Sequence, residues 1–242
     1  MRINDINHLL KKNPYPGRGI ILGRSGDNKK ALLAYFIMGR SENSRNRIFV
    51  ETGDGIKTQA FDPSKMTDPS LIIYHPVRRL GLHGGTTHIV TNGDQTDTLR
   101  DYLNKGKNYT DALLTREFEP DAPNYTPRIS GLLFPDGSYM LSIIKTHNSN
   151  PGCCLRHFFT YNSPQPGVGH FIHTYTGDGD PLPSFEGEPI PIHISAADGF
   201  ESFANTIWDS LNSENKVSLY VSEIDINSGL SSEIIINKNA VV

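Results

Sequence analysis

The chain predicts an α+β fold: two stacked, mostly antiparallel sheets with helices on the outside. Three observations predict it. Short apolar runs recur along the whole chain, and 22 glycines and 16 prolines supply turns between them. Neighbouring runs arrive in hairpin order, which favours antiparallel pairing. A few segments instead place apolar residues at helical spacing. An α-β-β-α layering fits this pattern, and spacing alone leaves other α+β arrangements open.

The elements follow in order. Ile3, Ile6, Leu9 and Leu10 suit a short amphipathic helix that Pro14 and Pro16 end. Residues 1–16 are therefore read as an extension packed outside a single domain spanning 17–242. Residues 19–22 and 31–37 are apolar strands joined by a polar turn, hence a hairpin. A polar loop with Arg40, Arg45 and Arg47 leads into a strand from 47 to 52. Residues 53–70 read as loop, 71–74 as a short strand ending at Tyr74, and 88–91 as a strand running into Asn92-Gly93. Thr96 or Asp97 then caps a helix carrying Leu99, Tyr102 and Leu103, and Thr110 starts a second helical piece. Residues 129–134 and 139–144 flank Pro135-Asp136-Gly137, a strong turn signal. Strands follow at 154–161, 169–175 and 190–194, with a Gly/Pro-rich loop between the last two. Asp198 and Glu201 form a capping-box pair before Phe203, Ala204, Ile207, Trp208 and Leu211, the clearest helical stripe. Strands at 217–224 and 234–236 close the chain.

Bulk properties bound the function. A net charge of −3 supplies no global basic field, so neither nucleic acid nor a membrane surface is expected as partner. No apolar run approaches the ~20 residues that span a bilayer. Cys153 and Cys154 are adjacent, a poor geometry for a disulfide. Free thiols and a reducing, cytoplasmic setting are expected.

Several polar islands interrupt the apolar pattern. Arg40, Arg45 and Arg47 could grip a phosphate through guanidinium forks, against the plainer reading of a solvated loop. Asn92-Gly93, with Thr96 and Thr98 nearby, is either a simple turn or a turn whose amides face a ligand. Glu119, set between an aromatic and a Pro-rich stretch, is either an exposed loop acid or a carboxyl with a raised pKa. His170 and His173 fall on opposite faces of a strand, so they are not read as a metal pair. No metal or cofactor fingerprint appears.

Taken together, these islands resemble the archaeal-type IMP cyclohydrolase family. The pieces are Gly23-Arg24-Ser25, Tyr35 through Gly39-Arg40-Ser41 with Arg45, Pro69 through Tyr74, Asn92-Gly93 with Thr96-Asp97-Thr98, Phe118-Glu119, Thr126-Pro127-Arg128-Ile129 and Thr174-Tyr175. The longer loop at 181–185 looks like the bacterial branch. The resemblance implies a four-layer sandwich of the N-terminal-nucleophile-hydrolase type without an autoprocessed nucleophile. It implies dehydrative closure of 5-formamidoimidazole-4-carboxamide ribonucleotide to IMP, without cofactor, in a homo-oligomer. By position its catalytic residues fall on Arg45, Tyr74 and Glu119. Nucleotide contacts fall to Arg24, Arg40, Arg47, Asn92, Gly93, Thr126 and Arg128, with Arg47 an alternative to Arg45 in the arginine role. Two competing readings are an amide hydrolase using Cys153 or another nucleophile, and a nucleotide-binding module without catalysis.

Overall fold

In the computed structural model of the chain, residues 3–67, 69, 73–194 and 199–239 are described. The first hairpin is β1 (Arg18–Arg24) and β2 (Lys30–Met38), and both strands are apolar on both faces. That double-sided pattern belongs to a strand covered above and below. Ile20, Leu22, Leu33, Tyr35 and Ile37 point into a core shared with the second sheet. Ile21, Leu32, Ala34, Phe36 and Met38 point outward into a second core.

After β2 comes a one-turn helix, Glu42–Arg45, capped reciprocally by Ser41 and Ser44. It is labelled α2, following α1 (Ile6–Lys12). The second sheet then begins with β3 (Arg47–Thr52), β4 (Gly55–Ala60), β5 (Val77–Leu82) and β6 (Gly85–Thr91). Helices α3 (Gln95–Asn104) and α4 (Tyr109–Leu114) follow, then β7 (Arg128–Leu133), β8 (Tyr139–His147) and β9 (Asn150–Tyr161). The chain returns to the first sheet with β10 (Val168–His173), β11 (Ile190–His193), α5 (Gly199–Ser210), β12 (Lys216–Asp225) and β13 (Ser231–Asn237).

The strand orders are β11-β10-β1-β2-β12-β13 and β3-β4-β5-β6-β7-β8-β9. Every pairing between these strands is antiparallel. Helices α1 and α5 cover the outer face of the first sheet through Ile6, Leu10, Phe203, Ala204 and Ile207. Helices α3 and α4 cover the second through Leu99, Leu103, Tyr109 and Leu113. The α+β class with two antiparallel sheets is thus as expected.

The differences are local. Residues 53–70, expected as loop, hold strand β4, and β5 lies where no strand was expected. Tyr74 sits in a bend, and Leu71 and Ile72 of the expected strand lie outside the described residues, as does Asp198, the expected cap of α5. Asp94 occupies the N-cap of α3, and the Asn108 side chain caps α4. Among the described residues no helix is long and apolar enough to cross a membrane.

Candidate active site

Antiparallel pairing brings the starts of β1, β3 and β7 and the ends of β2, β6 and β10 to one end of the sandwich. Polar side chains gather there in two halves.

The first half is built on Arg128, at the start of β7. Its Nη1 meets Glu119 Oε1 at 2.7 Å, Asp94 Oδ1 at 2.7 Å and Gln95 Oε1 at 2.6 Å. Its Nη2 donates to Glu119 Oε2 at 3.1 Å, and its Nε to the Glu117 carbonyl at 2.8 Å. Every nitrogen of this guanidinium has a partner. Asn92 is equally occupied: Oδ1 accepts from the Ile129 amide at 2.8 Å and from Gln95 Nε2 at 3.0 Å, while Nδ2 donates to the Pro127 carbonyl at 2.8 Å. This amide therefore splices the end of β6 to the start of β7. Gly93 is glycine for a steric reason. A Cβ there would lie 2.7 Å from Arg128 Nη1 and 2.8 Å from Glu119 Oε1.

Glu119 is buried, and burial raises its pKa more than Arg128 and Arg18 lower it. Its backbone amide donates to the Thr126 carbonyl at 2.9 Å, which fixes its position on the loop. Thr126 also settles a hydrogen-bond direction. Its Oγ1 contacts a carboxylate oxygen of Asp121, which can only accept, so the threonine proton goes there. The Tyr175 hydroxyl, 2.5 Å from the same Oγ1, must then be the donor. With its proton committed, the Tyr175 oxygen is left to act as an acceptor.

The second half is cationic and aromatic. Arg47 is fully buried at the start of β3. Its Nε donates to the Ser44 carbonyl at 2.7 Å and its Nη2 to the Met38 carbonyl at 3.3 Å, but Nη1 has no partner. Arg18, opening β1, likewise has a solvent-sealed Nε with no partner. Neither guanidinium forms an ion pair among the described residues, whereas Arg128 forms two. The Tyr35 and Tyr74 hydroxyls meet at 2.8 Å. Burial, then Tyr74, pushes the Tyr35 pKa well up, so Tyr35 keeps its proton at ordinary pH. Arg18 joins the halves: its charge acts on Glu119 on one side and on Tyr35 and Arg47 on the other. Tyr15 stacks on Tyr175 at 5.9 Å and closes the cluster.

The expected residues distribute unevenly over this geometry. Glu119, Asn92, Gly93, Thr126 and Arg128 form one connected group. Tyr74 and Arg47 stand on the far side of Arg18. Arg45 is exposed, donating to the Gly39 carbonyl and to Asn215, both at 2.9 Å. Arg40 holds the 176–185 loop through Asp178 at 2.7 Å and the Gly179 carbonyl at 2.8 Å, with its guanidinium 5.3 Å from the Tyr15 ring centre. Arg24 ends β1, across the full strand from Arg18, and binds the turn between β7 and β8 at the Asp136 carbonyl. Arg78 pairs with Asp54 and Asp97. Cys153 is exposed and Cys154 half-buried on β9, where burial raises the Cys154 pKa and so disfavours a nucleophilic thiolate.

Arg18, Gln95 and Asp121 were given no role from the sequence, and Tyr35 stood there only at the start of one of the pieces that carry the resemblance. Arg18 carried one usable signal, a cation opening a strand whose interior is apolar on both faces.

A family model described as IMP cyclohydrolase-like protein matches residues 15–228. The chain belongs to this family. An IMP cyclohydrolase of Halobacterium salinarum is 30% identical over 135 residues, covering 54% of this chain and 63% of that protein. An IMP cyclohydrolase of Methanococcus maripaludis is 32% identical over 131 residues, covering 52% and 61%. One from Methanococcus aeolicus is 28% identical over 130 residues, again covering 52% and 61%. The match thus spans less than two thirds of each of these IMP cyclohydrolases. The family match takes in Arg18, Arg47, Tyr74, Glu119, Arg128 and Tyr175 alike.

Proposed function

We propose that this chain is an IMP cyclohydrolase, a hydrolase of the cyclic amidine class, closing 5-formamidoimidazole-4-carboxamide ribonucleotide to IMP. Family membership supports the reaction class, and the site's chemistry suits it. The carboxamide nitrogen attacks the formyl carbon of the same molecule. The formyl oxygen then leaves as water, carrying one proton from the carboxamide nitrogen and one from the formamide nitrogen. Nothing in this sequence needs a covalent nucleophile. It needs the two ends of the substrate held together and protons moved between them.

The observation that carries the reading is a buried Glu119, whose pKa burial raises, at the same end of the sandwich as unpartnered donors on Arg18 and Arg47. Glu119 relays protons between the attacking nitrogen and the departing oxygen. Tyr74, aligned by Tyr35, handles the other transfer. Arg18 and Arg47 take the negative charge, either on the phosphate or on the formyl oxygen as it develops. Arg47 rather than Arg45 fills the arginine role in this reading, because its free Nη1 lies among the tyrosines while the Arg45 nitrogens serve Gly39 and Asn215. Tyr175 accepts from a substrate N–H. Arg128, Asn92, Gly93 and Thr126 position Glu119 and Tyr175, and Arg40 holds the neighbouring loop. Arg24 has no part in it.

The same proposal takes residues 17–242 as one domain of the N-terminal-nucleophile-hydrolase type, with 1–16 as an extension. It takes the protein as a cytoplasmic homo-oligomer without cofactor, nucleic acid or membrane partner. Sedimentation tests the assembly directly.

Absorbance during mixing with the formylated ribonucleotide tests the activity. Glu119→Gln should lower kcat about 10²- to 10⁴-fold, the usual share of a general acid-base group, and change KM only a few-fold. Parental turnover in that variant removes Glu119 from the mechanism, and no absorbance change with the wild-type chain removes the activity.

A further inference from the structure

We propose that the chain carries a second anion site, at Lys145, for a small phosphorylated or carboxylated metabolite. Lys145 lies near the end of β8, buried on the inner face of the second sheet. Its Nζ donates to the Phe185 carbonyl at 2.7 Å. It forms no ion pair among the described residues. An ammonium has three N–H donors, so two remain for a ligand. A buried ammonium whose hydrogen bond goes to a neutral carbonyl, and whose nearby counter-charge, Glu186, is exposed and not paired with it, is poorly compensated, and an anion corrects that imbalance.

The surroundings suit an oxyanion. Lys145 borders a cavity of about 460 Å³, within the roughly 300–1,000 Å³ range of small-molecule sites. Thr146, Ser149, Thr176 and Ser184 line it and bring hydroxyl groups. Ser149 is held there by the tight β8–β9 turn, in which Asn148 and Ser149 have φ of 52° and 58°. Glu186, the acid on the lining, is exposed at the rim.

This cavity lies behind the proposed active site. Ser184 bridges to Tyr175, and the Phe185 ring meets His173 edge-on at 4.5 Å. One loop thus forms a wall of both. Arg18 and Arg47 do not line the cavity, so the two anion sites separate by mutation.

Equilibrium dialysis against radiolabelled inorganic phosphate tests the proposal. Lys145→Met should bind one equivalent fewer than the wild-type chain. Ser149→Asp leaves Lys145 in place but sets a carboxylate in the cavity, and it should lose the same equivalent. Aspartate tolerates the left-handed backbone at that position. Both variants should keep KM for the ribonucleotide within twofold, whereas Arg47→Met should retain the Lys145 equivalent. Wild-type binding in either Lys145→Met or Ser149→Asp overturns the site. A tenfold rise in KM in both overturns its separateness. If the chain proves inactive on the ribonucleotide, loss of phosphate in these two variants still supports the Lys145 site.

Discussion

Arg128 and Arg47 are both buried at the same end of the sandwich, yet their donors are used differently. Arg128 is saturated by Glu119, Asp94, Gln95 and a backbone carbonyl. Arg47 has two backbone carbonyls and one nitrogen with no partner. A guanidinium surrounded by carboxylates has little left for a ligand. One held only by carbonyls keeps its full charge and an open donor. The comparison teaches that burial alone does not mark a binding arginine. What marks it is burial without a counter-charge.

The largest expected effects come from breaking that comparison directly. Arg128→Met leaves the buried Glu119 without its cation, whereas Asp94 keeps Arg116, and the loss at Glu119 costs about 3–5 kcal/mol for a buried pair. For a chain of this size that lowers Tm by roughly 10 °C. Arg47→Met removes a cation that has no counter-charge, so stability should stay within about 1–2 kcal/mol. Its kcat/KM should nevertheless fall about 10²- to 10³-fold, as for removal of a charge-stabilising donor. Calorimetry and the absorbance assay separate the two. If Arg47→Met were as unstable as Arg128→Met and still turned over at the parental rate, the division between positioning and binding arginines would be gone.

A smaller effect sharpens the Arg128 half alone. Gly93→Ala pushes a methyl against Arg128 Nη1 and Glu119 Oε1. Overpacking of this kind costs about 1–3 kcal/mol. Because the group displaced is Glu119, kcat should fall more than stability does. Gly26→Ala is the control, since a Cβ there meets nothing within 4 Å. It should stay within about 0.5 kcal/mol. Equal behaviour of the two alanines in turnover would show that the Glu119 geometry is not sensitive at this scale.

The same contrast explains how far the sequence could be read. Strands with large apolar residues, such as β1, β2, β7 and β8, stood out by pattern. Strand β4 did not, because its alternation buries Ile56, Thr58 and Ala60 against exposed Gln59, a weak apolar signal. Strand β5 was masked by Arg78 and Arg79, whose charges are met by carboxylates from elsewhere in the chain. Glu119, Asn92 and Arg128 were legible because each sits at a polar break in an apolar pattern. Choosing between Arg45 and Arg47 was not possible from composition. They are two residues apart, but one ends an exposed helical turn and the other begins a strand. Only the backbone path decides which guanidinium turns inward.

The last effect concerns cations the fold declines to bury. Burial pushes the His88, His170 and His173 pKa values down to about 4, with Arg79 adding to the shift at His88. In the unfolded chain a histidine titrates near 6.5. Between these values the unfolded state binds more protons, so stability present above pH 6.5 is lost as pH falls toward 4. At pH 5 each histidine accounts for at most about 2 kcal/mol. Arg47 cannot shed its proton to escape the same penalty, whereas these imidazoles do. Tm should therefore fall steadily between pH 7 and pH 5, and His88→Gln should flatten part of that slope. A Tm constant across this range would mean that the imidazoles find counter-charges on protonation.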